Sequence, residues 1–350
     1  MPVPAVPLIP GSTVLLADLT TLRLGGPVWD VVTPATDDEL VEVVLDLDRA
    51  GGAVLVLGGG SNVVAADAGF PGTVVRLATR GVTRVDQGDD VVLTAAAGEP
   101  WDDLVAMSTE LGLSGIEALS GIPGLTGASP IQNVGAYGQE IAQTIVEVRV
   151  LDRRTGQVRT LSPQECAFGY RTSMLRGSDR YLVLATSMRL LRSARSGPVG
   201  YAELAQTLGI GVGDRASADA VRQAVLELRR RKGMVLDPAD PDTVSAGSFF
   251  TNPVVAAAAA AGFPASAPRY PAPAGAVKTS AAWLIEQAGF SRGYRRGRVR
   301  ISGKHTLALT NTGGATTQEL LDLAREIRAA VVARFGIELM PEPVLVGCSL

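Results

Sequence analysis

The chain has 350 residues, too many for one ordinary core, so two or three domains are expected. Hydrophobic residues make up 46% and charged ones 19%, which excludes global disorder. A formal charge of −3 gives no drive toward nucleic acid or an anionic membrane, and two cysteines with one histidine exclude most zinc ligand sets, so neither such partner nor a metal is expected.

Residues 1–12, "MPVPAVPLIPGS", lack a charged n-region followed by a continuous apolar run and do not read as a secretory signal. The prolines predict a stiff, poorly ordered lead-in. No run of 18 or more apolar residues occurs, and two scattered thiols suit a reducing compartment, so the expectation is a soluble cytoplasmic protein.

Residues 29–33 read as a strand. "TDDE" at 36–39 is a capping box, followed at helical spacing by Leu40, Val43, Val44 and Leu47, with Gly51-Gly52 as the stop. "AVLVL" at 53–57 is a buried strand running into Gly58-Gly59-Gly60, which completes a βαβ unit. Short β-rich runs follow ("TVVRL", "VTRV", "DVVLTAAAG"), then a helix near 101–111 and a glycine-rich tract at 112–138 with little periodicity. Strands resume at "TIVEVRVLD", "VRTL" and "RYLVLATSMRLL". Residues 218–231 form a helix whose basic last turn complements the macrodipole. Beyond Met234 come an alanine run, the helix "AAWLIEQAG", the strand "TLALTN", a long helix with Leu320, Ala324, Ile327 and Val331 on one face, and an extended end.

Several stretches carry chemistry. "LGGGSNVV" follows a strand, so its backbone N–H groups could cradle a pyrophosphate, but Val63 breaks the dinucleotide fingerprint and a sharp turn explains the glycines equally well. "SGIPGLTGASPIQNVGAYG" is uncharged and glycine-rich. It reads either as a surface for a flavin ring and a pyrophosphate or as a long loop packed on itself. Arg171, among aromatic residues in "FGYRTSML", needs an acceptor, from a substrate carboxylate or a structural ion pair. Glu342, between two prolines in an apolar segment, is paired or functional. The basic stretch 291–305 reads mainly as a solvated face, and His305 as a structural histidine.

Seven segments in order, "TTLRLGG", "VLGGGSNVV", "IPGLTGASPIQNVGAYGQEI", "FGYRTSML", "AGSFFTNP", "AAWLIEQAGF" and "MPEPVLVG", resemble the UDP-N-acetylenolpyruvoylglucosamine reductase (UDP-N-acetylmuramate dehydrogenase) family from about Thr20 to Gly347. The resemblance implies an α+β chain with an FAD-binding fold of the vanillyl-alcohol-oxidase (PCMH) type and a separate α/β substrate-binding domain. The division it implies is 1–80 joined by 335–350, 81–233, and 234–334. It also implies a flavoprotein oxidoreductase that uses FAD and NADPH to reduce the enolpyruvyl ether of a UDP-sugar for peptidoglycan synthesis, as a monomer.

By the same resemblance Ser248 is the proton donor, and Arg171 and Glu342 hold and polarise the substrate carboxylate. The flavin would lie on Leu57, Gly58, Gly59, Gly60, Ser61, Asn62 and Val63. It would also meet Ile122, Pro123, Gly124, Thr126, Gly127, Ala128, Ser129, Gln132, Asn133, Gly135, Ala136 and Tyr137. Tyr201 matches a tyrosine that closes over substrate, Lys232 a lysine near the nucleotide phosphates (or a helix cap), and Asn252 and Gln287 substrate contacts. One departure is Pro343, which stands where a residue with a backbone N–H is expected. The alternatives are an alcohol-oxidising flavoenzyme of the same fold, and a non-catalytic flavin- or nucleotide-sugar-binding regulator.

Overall fold

The computed structural model describes residues 14–350, so the expectation for residues 1–12 lies outside the described residues. The chain divides into two compact units. Among the described residues, one contains Val28–Gly60 and Pro71–Val235, the other Leu15–Pro27, Ser61–Phe70 and Leu236–Leu350.

In the first unit, Thr36 and Glu39 make the reciprocal capping bonds that start the helix Asp37–Arg49, as the sequence predicts. Its Leu40 and Val44 are fully buried against Val75, Leu151, Leu182 and Leu184, while Val43 and Leu47 pack at the rim. The strand Val54–Leu57 pairs in parallel with Phe70–Arg76, which separates it from Val28–Val32 in a three-stranded sheet.

The larger sheet is antiparallel. Gln157–Leu161, Ile145–Asp152, Tyr181–Arg192, Asp90–Ala96 and Val82–Gln87 follow one another, and Leu113–Ser114 pairs onto Tyr181–Arg192. Alternating residues of Asp90–Ala96 point inward, and Val91, Leu93 and Ala95 meet Trp101, Leu104 and Val105 of the helix Trp101–Glu110. The helix Ala218–Arg231, capped by Ser217, buries Val221, Val225 and Leu228 against Leu204 and Ala205 of the short helix Ala202–Leu208.

The tract that showed no periodicity is largely buried. It consists of the 3-10 turns Glu117–Leu119 and Thr126–Ala128 and a small hairpin, Gly135–Ala136 with Gln139–Glu140.

The second unit holds a four-stranded antiparallel sheet in the order Ser245–Ser248, Ala308–Asn311, Val299–Ile301, Arg295–Arg296. The helices Ala281–Gln287 and Thr317–Phe335 contribute to its core, where Leu320, Ala324, Ile327 and Val331 are all 0% exposed. Burying Leu320, Ile327 and Val331 contributes roughly 1.5–3 kcal/mol each. Val344–Val346 pairs in parallel with Val63–Ala65. No helix among the described residues is long and apolar enough to cross a membrane.

Candidate active site

Ser248 ends the strand Ser245–Ser248. Opposite it, Thr310 pairs with Ser245 and Ala308 with Ser248, so the strand carries one residue more than its partner. The extra residue makes a bulge at Gly247, whose φ of +72° suits glycine and whose N–H donates to Ser245 Oγ at 3.2 Å. A bulge re-aims the side chain after it, which gives the glycine of "AGS" its purpose. Phe249 and Phe250, each 1% exposed and packed edge to face, anchor the backbone immediately beyond the serine.

Two backbone bonds bring in the carboxylate. Glu342 N–H donates to Phe249 O at 2.9 Å, and Thr251 N–H donates to Met340 O at 3.0 Å. Glu342 is therefore held one residue away from Ser248 by backbone alone. Val344 N–H donates to Asn62 O at 2.9 Å, while Asn62 Nδ2 donates to Glu342 O at 3.4 Å. Pro343 lies between the two donating residues, so its missing N–H breaks neither bond, and the departure seen in the sequence is accommodated. Asn62, expected at the flavin, thus also links to the C-terminal segment, through its backbone oxygen to Val344 and its side-chain amide to Glu342. Asn252 Oδ1 accepts from Ala281 N–H at 2.9 Å in the first turn of Ala281–Gln287. Gln287 is exposed, and its carbonyl accepts from Arg334 Nη1.

In the first unit Leu57 is buried at a strand end and delivers Gly58, Gly59 and Gly60 beside Gly124 and Leu125. A Cβ on Gly59 would sit 3.0 Å from Gly124 Cα, so these two glycine segments touch backbone to backbone. Among the described residues nothing accepts from the N–H groups of Gly58, Gly59 and Gly60. Donors on a backbone without side chains suit a flavin pyrophosphate, and the loop fits that group.

The second glycine segment differs from expectation. The N–H groups of Thr126, Gly127, Ala128 and Ser129 are spent on Glu99, Ala97, Leu125 and Thr126. What Thr126–Ser129 can offer a ligand is carbonyls and packing surface. Ile122 and Ala136 pack partly buried against the core, and Gln132 is half-buried. Pro123 is also half-buried beside the first glycine segment's partner, Gly124. Asn133, 1% exposed, donates to Glu140 Oε2 and Gly169 O and accepts from Ala142 N–H. Its side chain therefore ties this tract to the turn that carries Arg171.

That turn is closed by reciprocal bonds between Gly169 and Thr172, of 2.9 and 3.2 Å, with Tyr170 and Arg171 at its centre. Arg171 has φ +53°, a left-handed conformation that costs a non-glycine residue of order 1 kcal/mol. Its Nη2 donates to Gly135 O at 2.5 Å, its guanidinium lies 5.3 Å from the Tyr170 ring centroid, and its carbonyl accepts from Arg176. Strain, two tethers on the guanidinium and one on its backbone fit a group that must be aimed.

Tyr137, Tyr201 and Lys232 come together. The two tyrosine rings meet edge to face at 5.3 Å, and Lys232 Nζ lies 5.8 Å from the Tyr137 centroid. Burial pushes the Tyr137 hydroxyl up to about 12.

Sequence reasoning missed three supporting residues. Glu203 accepts from Lys232 Nζ at 2.6 Å. Asp102 takes a two-pronged bond from Arg222, at 2.6 and 3.0 Å, and accepts from Gly121 N–H at 2.6 Å, which fixes the entrance to the glycine tract. Burial alone would raise the Asp102 carboxyl, but these donors outweigh it and hold it below the usual carboxylate range. Arg229 Nη2 donates to Met234 O, and burial pushes its guanidinium pKa down. Only the acidic first-turn position of Glu203, two residues after Tyr201, was a usable signal.

Comparisons with known proteins show the family. Residues 238–346 match the family model of the UDP-N-acetylenolpyruvoylglucosamine reductase C-terminal domain, and residues 30–162 match that of an FAD binding domain. The UDP-N-acetylenolpyruvoylglucosamine reductase of Thermobifida fusca is 56% identical over 346 residues, covering 96% of this chain and 97% of that protein. The reductase of Saccharopolyspora erythraea is 55% identical, with coverages of 96% and 95%. The crystal structure of UDP-N-acetylenolpyruvylglucosamine reductase from Thermus caldophilus matches with a TM-score of 0.64 at 27% identity, over 96% of this chain and 98% of that one. The fold is thus the FAD-binding α+β fold expected from the sequence, and the chain is an oxidoreductase belonging to the UDP-N-acetylenolpyruvoylglucosamine reductase family.

Proposed function

We propose that this chain reduces UDP-N-acetyl-3-O-(1-carboxyvinyl)glucosamine to UDP-N-acetylmuramate, with NADPH as reductant, in peptidoglycan synthesis. When bound, FAD supplies to the substrate the hydride it has received from NADPH. Hydride arrival at the β-carbon leaves the electron pair of the former double bond on the neighbouring carbon and its carboxylate, as an enolate. Ser248 gives its hydroxyl proton to that carbon and is reprotonated from solvent. A serine is a weak acid, yet an enolate of this kind is a strong base, so position matters more than acidity. Arg171 neutralises the substrate carboxylate, and Glu342 polarises it by hydrogen bonding.

The observation that carries this reading is the bulge at Gly247 with the Glu342 to Phe249 bond, which join a hydroxyl and a carboxylate in one short piece of backbone. Glycine backbone at Gly58–Gly60 supports the flavin assignment. The three-part division 1–80 with 335–350, 81–233 and 234–334 belongs to the same reading, supported by the pairing of Val344–Val346 with Val63–Ala65.

An anaerobic absorption titration tests it. The flavin band should bleach with NADPH and return on adding the enolpyruvyl UDP-sugar. A flavin that ignores NADPH would instead favour the alcohol-oxidising alternative.

A further inference from the structure

Tyr201 stands just before the helix Ala202–Leu208, 44% exposed, and Glu203 lies in that helix's first turn. The Glu203 carboxylate takes the Lys232 ammonium at 2.6 Å, with the two side chains 41% and 31% exposed. Lys232 comes directly after the helix Ala218–Arg231, over the Tyr137 ring that Tyr201 touches at its edge. The four side chains are thus linked in series, Tyr201 to Tyr137, Tyr137 to Lys232 and Lys232 to Glu203.

Neither helix needs this pair for its own ends. A carboxylate in a first turn is already favoured by the macrodipole, and Arg229, Arg230 and Arg231 already supply cations to the last turn of the other helix. A partly exposed ion pair also adds little to stability. What the pair does is fix the position of an ammonium whose remaining N–H donors can still reach a second anion.

We propose that Glu203 is a positioning residue that holds the Lys232 ammonium in place and yields it to the diphosphate of a nucleotide ligand. The inference rests on the proposed function and, with it, on the family resemblance that puts Lys232 near the nucleotide phosphates. A diphosphate carries more charge than a carboxylate and offers several acceptor oxygens, so it wins the lysine when it arrives. Glu203 is thereby a competitor that lowers affinity for the nucleotide. Because Glu203 lies two residues after Tyr201, losing the lysine also loosens the contact that keeps Tyr201 at the Tyr137 edge.

The test uses the flavin-loaded enzyme and UDP as the probe, with calorimetric dissociation constants for wild type, Glu203→Gln, Lys232→Met and the double variant. Lys232→Met is expected to weaken UDP binding. Glu203→Gln is expected to tighten it about two- to fivefold, the fold-change that an exposed ion pair carries. In the Lys232→Met background Glu203→Gln should change nothing. If Lys232→Met weakens UDP but Glu203→Gln leaves it unchanged or also weakens it, the exchange is overturned while Lys232 remains a nucleotide contact. If Lys232→Met leaves UDP affinity as in wild type, the nucleotide-facing reading of Lys232 and the exchange fall together.

Discussion

At Ser248 the proposed chemistry asks for a proton at one carbon, and the backbone there carries a bulge. Gly247 at φ +72° is the residue that makes it, and Phe249 and Phe250 anchor the chain immediately after. Ser248→Ala is expected to leave flavin reduction by NADPH nearly intact and to slow flavin reoxidation by the UDP-sugar by orders of magnitude, as stopped-flow absorbance of each half-reaction would show. Equal slowing of both halves would remove Ser248 from the proton-donor role. Ser248→Cys should be milder, since a thiol ionises near pH 8.5 and still donates. At this scale the sequence singles out Ser248, Arg171 and Glu342 because each stands in a recognisable short motif. Glu203 and Asp102 were not, because their partners, Lys232 and Arg222, lie far along the chain.

Elements whose signals are local were read well. Thr36 with Glu39 writes a helix start into four residues, and that capping box forms. The 112–138 tract was illegible for the opposite reason. Its turns are held by Asp102 at Gly121 and by Asn133 at Gly169 and Glu140, contacts that leave no period in the sequence. The helix Ala202–Leu208 is too short to show one. The glycine segments carry a steric prediction. Gly59→Ala would press a methyl to 3.0 Å from Gly124 Cα, where the neighbour is backbone and cannot swing away. The variant should fold but lose flavin on gel filtration, measured as the ratio of flavin absorbance to protein. Full flavin retention would show that this approach of the two segments is not used by the cofactor.

For the whole molecule, the Asp102–Arg222 pair joins the helices Trp101–Glu110 and Ala218–Arg231 and holds Gly121 between them. The Asp102 carboxyl is depressed in the native state, so native protein refuses a proton that the unfolded chain accepts. Its stabilising effect is therefore complete above about pH 4 and drains as pH falls through the lowered native value. Asp102→Asn should lower the thermal midpoint at pH 7 by about 2–4 °C, with the gap to wild type closing as pH falls through the lowered native value. A gap that is constant with pH would mean that packing, and not charge, sets the effect.

The bond from Asn62 to Glu342 spans 280 residues. A ribosome making this chain releases Asn62 early and Glu342 late. Throughout the interval the glycine loop, the arginine turn and Ser248 can all have been made while the carboxylate is still missing. A chain that stops before Glu342 therefore keeps Asn62 and Phe249 but lacks the residue they hold.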